Sequence, residues 1–569
     1  MHSEFLTQLL HKRGLINKDE IESFLNPDYE KDVLDPFLMR DMRKACVRLF
    51  NAISNNEKIV IYADYDCDGI PGAVILSDLL KKIKYENYEV YIPERNSEGY
   101  GLNIDAVESF KESGVGLLIT IDLGITAVEE VTLANSYGID VIITDHHIPH
   151  ALLPDAYAIL NPKVDGYPGK MPARNASHGD AGGLCGSGVV FKFVCGFLKI
   201  YGEKFEVGVG WEKWLLDMAG LATLSDMVPL LGENRAIAYF GMKVLRKSPR
   251  PGLQKLLSIM KIDQRHLATD DVTFMITPRI NAASRMDSPM RAFELLSTND
   301  PVEGGVLAKH LSSINDERKS IVLHIMKEVK AHFEKREELK DFPVIVMGSP
   351  SWRVGVLGIV AGKIMDEYDK PVFVWGKDEN DIIKGSCRSP GSVSVVDLMT
   401  HSREFFLEFG GHELAGGFAV HHEKIHFLEE ALAVSFSSIL ERLDLKGAQG
   451  RTLKNFDLKL RFSDVNIKNN NDLERMEPFG LANPKPVFLF ESVKIDKIKK
   501  FGKNGSGEHL EITFSDSTKR GVVAISFFST VDSFDTKIEE GLQVNLTATF
   551  DLSRFRGRPE LRLRIVDIY

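Results

Sequence analysis

The stretch at 59–69, Ile-Val-Ile-Tyr-Ala-Asp-Tyr-Asp-Cys-Asp-Gly, constrains this chain more than any other. It starts as a short apolar run of strand type. It ends in three carboxylates at alternate positions, followed by a glycine. Pro71 then opens an apolar, helix-prone segment reaching about Lys84. Proline suits a first helical turn, where its missing N–H has no intrahelical partner to lose. The pattern predicts acids at the C-terminal end of a strand, just ahead of a helix. In open α/β sheets that edge is where ligands bind. Asp64, Asp66 and Asp68 crowded there repel one another unless protons or cations intervene. Hard divalent cations that favour carboxylate oxygen, Mg2+ or Mn2+, meet that need. The plainer alternative is an Asp-rich turn with solvated side chains.

The same alternation continues. Apolar runs at 88–93, 116–122, 140–145 and 157–162 alternate with helix-type segments, which predicts a parallel sheet from about 55 to 165, in a first domain spanning 51–310. The run at 116–122 ends at Asp122-Leu-Gly, and the next at Asp145-His146-His147. If these strands are neighbours, Asp66, Asp68, Asp122, His146 and His147 converge on one edge. Mixed carboxylate and imidazole donors suit a pair of Mn2+-like ions. Further on, Asp226 sits in an apolar frame, where it is either another ligand or the N-cap of a short helix.

The flanking regions are less informative. Residues 1–50 read as short helices with polar joints and are expected to cap the first domain. A charged run at 311–340 reads as a connecting helix. An α/β pattern restarts at 343–347 and defines a smaller domain, 341–445. There Phe409-Gly-Gly-His412 is a turn or a site. Residues 446–569 show five short strands with turn signals, which suits an OB-fold barrel. Residues 451–569 carry 20 Lys and Arg against 17 Asp and Glu, whereas the whole chain has a net charge of −11. Lys494, Lys497, Lys499, Lys500 and Lys503 lie near Phe501, and Arg554, Arg556 and Arg558 surround Phe555. Cations interleaved with aromatics can track a nucleic-acid backbone and stack bases; the alternative is a solvated barrel face.

At 569 residues the chain holds several domains. No apolar run reaches the ~18 residues of a membrane span. Five cysteines without a CxxC pair fit a reducing compartment, and the opening residues lack a secretion signal, so a cytoplasmic protein without membrane attachment is expected.

Asp64-Tyr-Asp66-Cys-Asp68-Gly, Asp122-Leu-Gly, Asp145-His146-His147 and Asp226 together resemble the four motifs of the DHH phosphoesterases. Other stretches resemble that family's single-strand-specific exonuclease branch. They are Pro93-Glu-Arg95 with Glu98-Gly-Tyr-Gly101, Pro278-Arg279-Ile-Asn281-Ala-Ala-Ser-Arg285, Trp352-Arg-Val-Gly-Val-Leu-Gly-Ile, Gly385-Ser386-Cys-Arg388-Ser, Phe409-Gly-Gly-His412 and Glu477-Pro-Phe-Gly-Leu-Ala-Asn483-Pro. The resemblance implies a DHH domain, a DHHA1 domain beyond a long helix, and an active cleft between them. It implies a 5′-to-3′ exonuclease that degrades single-stranded DNA to mononucleotides in repair and recombination.

On this chain the resemblance assigns two divalent ions, Mn2+ or Mg2+, to Asp64, Asp66, Asp68, Asp122, His146 and Asp226. It places His147, with Asp145, beside the scissile phosphate. It gives substrate contacts to Arg95, Arg279, Asn281, Arg285, Ser386, Arg388, Gly410, Gly411 and His412. Arg279 and Arg285 could equally be structural ion-pair partners. It suggests a single-strand-binding protein and a RecQ-type helicase as partners. Leu123, Arg353, Ser284 and Gly416 depart from the family's usual residues. Two other readings are a phosphodiesterase of small substrates, such as oligoribonucleotides or cyclic dinucleotides, and an inactive replication scaffold. The first lacks a reason for the barrel; the second usually loses the acids kept here.

Overall fold

Strand alternation sorts the first domain into layers. The computed structural model describes residues 2–569 apart from Asn96, Asp165, 169–182, 336–341, Glu379, 443–455, 503–508, Lys519, Phe528, Asp535 and 554–558. Its first sheet contains β1 (Lys58–Ala63), β2 (Tyr88–Tyr91), β3 (Val115–Ile121), β4 (Asp140–Thr144) and β5 (Ala158–Leu160). The order is β2-β1-β3-β4-β5 and every pair is parallel. Ile59, Ile61 and Ala63 join one apolar layer with helices Gly69–Lys82 and Gly186–Tyr201. Val60 and Tyr62 join the opposite layer with helices Ile104–Glu112 and Val128–Ser136. Successive strand residues face opposite sides, so a continuous apolar run implies cover on both. The order makes β1, β3 and β4 neighbours, and their C-terminal ends lie side by side.

The connecting helix runs Pro301–Lys335 and so starts before the expected 311. Its start is set by Asp300, whose side chain accepts from Val302 N at 2.8 Å and whose carbonyl accepts from Gly304 N. An acid before proline is a strong helix opening that the charged run beyond it obscures.

The smaller sheet holds β6 (Ile345–Gly348), β7 (Val372–Lys377), β8 (Ile383–Arg388), β9 (Phe406–His412) and β10 (Ala415–Val420). Its order is β6-β7-β8-β10-β9, and only β6–β7 is parallel. Phe409-Gly-Gly-His412 is not the turn: it ends β9, and the chain reverses at Glu413 and Leu414.

The C-terminal domain contains β11 (Leu458–Lys459), β12 (Phe488–Phe501), β13 (His509–Ser515), β14 (Gly521–Phe527), β15 (Gln543–Ser553) and β16 (Glu560–Ile568). β12 pairs with both β13 and β15, so the five long strands close on themselves. Lys494, Lys497, Lys499 and Lys500 lie within β12 and are exposed. Lys503, Arg554, Phe555, Arg556 and Arg558 lie outside the described residues. The 477–484 motif ties this domain to the first. Leu230 N donates to Leu481 O at 2.8 Å, and buried Arg235 donates to the carbonyls of Phe24, Glu477 and Pro478. Among the described residues no helix is long and apolar enough to cross a membrane.

Residues 1–50 divide between two domains: the first two helices pack on the C-terminal domain, and the rest lie against the first domain. Leu6, Leu9 and Leu10 of helix Glu4–Lys12, with Ile21, Phe24 and Leu25 of helix Lys18–Leu25, complete the core of the C-terminal domain beside Phe488 and Phe550. The Phe5 ring sits 5.8 Å from that of Phe488. Helix Met42–Ser54 joins the first-domain core, with Tyr29, Val33, Leu34, Phe37 and Met39 packed beside it. Leu9→Ala is therefore expected to destabilise the C-terminal domain by about 2–5 kcal/mol, the usual cost of a large-to-small core change. Hydrogen exchange would show faster opening in β12 and β15 and unchanged protection in β1 and β3; the reverse pattern would contradict this packing.

Candidate metal centre

Each candidate ligand is fixed by backbone that continues or caps a strand. Asp64 N donates to Ile121 O at 3.0 Å, which extends the β1–β3 ladder by one residue. Asp66 Oδ1 accepts from Asp68 N at 2.7 Å and Gly69 N at 3.2 Å, closing the turn into helix Gly69–Lys82. The Asp68 carboxylate accepts from Gly186 N at 2.6 Å and Ser187 N at 2.7 Å. Those amides open helix Gly186–Tyr201, whose dipole favours an anion there. Two glycines make the crowding possible. A Cβ at Gly69 would lie 2.3 Å from Asp64 O, and one at Gly186 would lie 2.6 Å from the Asp122 side chain.

Asp122 directly follows β3 with φ +62°, a left-handed conformation that Asp tolerates, and its N donates to Thr144 O. Asp145 ends β4. Its Oδ1 accepts from His146 N, His147 N and His147 Nδ1 at 2.7, 3.0 and 2.7 Å. Its Oδ2 accepts from Ile125 N at 2.9 Å. Asp145 thus orients His147 and leaves that ring's Nε2 for other partners. Asp226 follows helix Leu216–Ser225, so it stands at a helix C-terminus and the N-cap alternative is wrong.

The decisive geometry is at His146. Its Nε2 lies 3.2 Å from Asp122 Oδ1, 3.7 Å from Asp226 Oδ2 and 3.9 Å from Asp68 Oδ2. Two triads offer ligand atoms within 4.8 Å of one another: Asp68, His146 and Asp226, and Asp64, Asp66 and Asp122. A third, Asp122 with His146 and His147, overlaps both regions. Oδ1 of Asp64 and Oδ1 of Asp122 are buried with no hydrogen-bond partner. Buried polar atoms are normally satisfied, so these two call for a cation. Burial, then the neighbouring carboxylates, holds the Asp64 and Asp122 carboxyls well above the usual range. Burial raises Asp68 too. Burial pushes His146 down to about 4, which keeps its imidazole neutral and able to ligate. Burial alone would depress His147, but its hydrogen bond and ion pair with Asp145 raise it. Burial works against the Asp145 charge, yet His147 keeps that carboxyl below its ordinary value.

The smaller lobe faces this centre. The His412 ring stacks 6.3 Å from His147 with an interplanar angle of 2°. Arg285 Nη1 donates to Gly355 O across the lobes at 3.1 Å. Burial, then Arg95, Arg318 and Arg388, brings Arg285 down to about 9. That places three cations from both lobes in one neighbourhood. Arg388 and Ser386 both flank Gly358, where a Cβ would meet Arg388 at 3.0 Å. Arg95 lies over the Tyr65 ring at 5.0 Å. Arg279 donates to Met275 O and Ser312 Oγ and makes no ion pair among the described residues. Asn281 keeps a buried, unpartnered Oδ1. Gly410 and Gly411 are exposed on β9, paired with Gly417 and Gly416.

Sequence reasoning passed over Tyr100, though it quoted the Gly-Tyr-Gly around it. The Tyr100 hydroxyl lies 3.4 Å from both His147 Nδ1 and Asp122 O. The four departures leave the metal ligands alone. Leu123 is buried in the apolar layer behind β3, and Arg353 pairs with Glu317 at 3.2 Å. Ser284 Oγ donates to Asn281 O, and a Cβ at Gly416 would meet Gly410 O at 2.9 Å.

Comparison with known proteins follows this geometry. The DHH family N-terminal domain model matches residues 58–223, the DHHA1 domain model 341–437, and the RecJ OB domain model 456–567. The single-stranded-DNA-specific exonuclease RecJ of Haemophilus influenzae is 30% identical over 98% of this chain and 95% of its own. The chain belongs to the RecJ family. The Bacillus subtilis exonuclease of the same name is 33% identical over 99% of this chain and 67% of its own. The crystal structure of Thermus thermophilus RecJ in complex with Mn2+ has the same fold, with a TM-score of 0.78 at 24% identity, over 99% of this chain and 76% of that one.

Carboxyls with raised pKa values hold protons in the folded state that the unfolded chain releases. Metal-free protein should therefore lose stability as pH rises above the ordinary carboxylate range and through the raised values. Mn2+ displaces those protons, so its gain in Tm should be larger at about pH 8 than at about pH 6. Thermal melts with and without Mn2+ check this; a gain independent of pH would contradict the cluster.

Proposed function

We propose that this chain is a metal-dependent exonuclease that removes mononucleotides from the 5′ end of single-stranded DNA, in repair and recombination. One observation carries the reading: a single imidazole nitrogen, His146 Nε2, lies within 3.9 Å of carboxylates from three separate segments. Asp64, Asp66 and Asp122 would hold one cation, and Asp68, His146 and Asp226 the other, with Asp122 between them. Mn2+ or Mg2+ suits these donors. When bound, such a pair supplies a water of lowered pKa and neutralises charge on the phosphoryl group.

The chain's own groups do the rest. Asp145 fixes the ring of His147, whose Nε2 is free to donate to an oxygen of the scissile phosphate. Arg95, Arg285, Arg388 and Ser386 grip the terminal 5′ phosphate. That group carries more charge than an internal diester, so guanidinium forks select an end. Arg279, Asn281, Gly410, Gly411 and His412 border the strand's approach. The domain limits 51–310, 341–445 and 446–569 follow the same reading, with the last holding the uncut strand along β12. A single-strand-binding protein and a RecQ-type helicase are the proposed partners. The described cysteines are all free and buried, which supports a reducing, cytoplasmic setting.

Digestion of strands labelled at one end decides the polarity. Early release of the 5′ label, with Mn2+ or Mg2+ and not with chelator, is expected. Asp122→Ala should abolish turnover, and His147→Ala should lower kcat by about 10²–10⁴-fold, as for loss of a positioned proton donor. Early loss of the 3′ label, or preference for a dinucleotide over a 30-mer, would overturn the proposal.

A further inference from the structure

Nine buried side-chain nitrogen or oxygen atoms lack a hydrogen-bond partner among the described residues. Two are the Asp64 and Asp122 oxygens, which the proposed cations satisfy. Four others lie on two packed helices: Asn281 Oδ1 on Thr277–Met286, and Asn315 Oδ1, Asn315 Nδ2 and Arg318 Nε on Pro301–Lys335. Arg279 Nε donates to Ser312 Oγ at 3.3 Å and ties the helices together there. Ser312, Asn315 and Arg318 repeat every third residue, so they follow one side of the connecting helix. Asn315 is fully buried, yet neither end of its amide is paired. Orphaned buried groups on this scale mark a missing ligand or ordered water.

The charge at this crossing is also unbalanced. Arg318 has no ion-pair partner among the described residues. Of the neighbouring acids, Glu317 pairs with Arg353 at 3.2 Å, and Asp316 pairs with Lys319 at 3.7 Å and also bears on Arg279. Burial, then the nearby Arg279, lowers the Arg318 pKa, and Arg318 in turn bears on Arg285. Arg388 and Arg318 both bear on Arg285, and buried Arg279 bears on Arg318, so cations outnumber acids around this crossing.

We propose that this helix crossing is a second phosphate seat, for an internal phosphodiester of the strand, with Arg318 as its charged contact. Asn315 and Asn281, which are covered, reach the phosphate through a bridging water that also satisfies their orphaned oxygens. The seat rests on the exonuclease reading and deepens it. It is separate from the grip on the terminal 5′ phosphate, so it serves only substrates long enough to span both.

The test uses the full chain with Mn2+, a 5′-phosphorylated thymidine 20-mer and the matching dinucleotide. Arg318→Ala should raise KM for the 20-mer by about 10–100-fold, the usual cost of losing a charged hydrogen bond. It should leave kcat and the dinucleotide KM unchanged. The salt dependence of log KM for the 20-mer should fall by about 0.7, the share of one phosphate contact on a single strand. Arg318→Lys should restore that slope. Equal effects on both substrates, loss of the preference for a 5′ phosphate, or a lower Tm with KM and salt slope unchanged would each overturn the seat. If the wild-type chain cuts neither substrate, the exonuclease reading fails instead. Anisotropy of the labelled 20-mer with chelator, wild type against Arg318→Ala, then still decides the seat: equal affinity overturns it.

Discussion

Keeping several carboxylates buried within a few ångströms of one another is the constraint on which this molecule is built. Like charges at that spacing are costly in a medium of low dielectric. The chain answers with fixed dipoles and close backbone. A helix N-terminus receives Asp68, a turn of amides receives Asp66, and His147 balances Asp145. Two positions without a Cβ let the acids approach. The apolar layers on both faces of the sheet then hold β1, β3 and β4 in register, so the strand ends cannot relax apart.

The cleft depends on how the smaller lobe is docked. Trp352 Nε1 donates to Glu328 of the connecting helix at 2.7 Å, and Arg285 reaches across to Gly355 O. A Cβ at Gly355 would lie 2.4 Å from Arg285 O, so backbone meets backbone at this joint. Arg353 adds a tie to Glu317 on the same helix. The lobe is therefore held by its 352–358 segment, next to the arginines that serve the cleft.

Much of this was legible in the sequence because strand period and strand ends are local properties. The runs ending at Asp64, Asp122 and Asp145 needed only their order in the sheet to become a site. Asp226 was harder, since an acid after a helix carries no signal that separates a ligand from a cap. Tyr100 and Arg318 were passed over for a related reason. An exposed tyrosine between glycines and an arginine on a charged helix look ordinary until their neighbours are known. The N-terminal helices misled because amphipathic spacing reveals an apolar stripe and not what covers it.

That last feature has a consequence for how the molecule is made. Ser3 Oγ donates to Asp472 Oδ2 at 2.5 Å across 469 positions of sequence, and Leu6, Leu9 and Leu10 close a core whose strands come last. A ribosome delivers those leucines long before β12 exists. Until then they stay unburied, exposed to chaperones, while the first lobe can already assemble. Helices Glu4–Lys12 and Lys18–Leu25 thus reach their buried state only together with strands β12–β16.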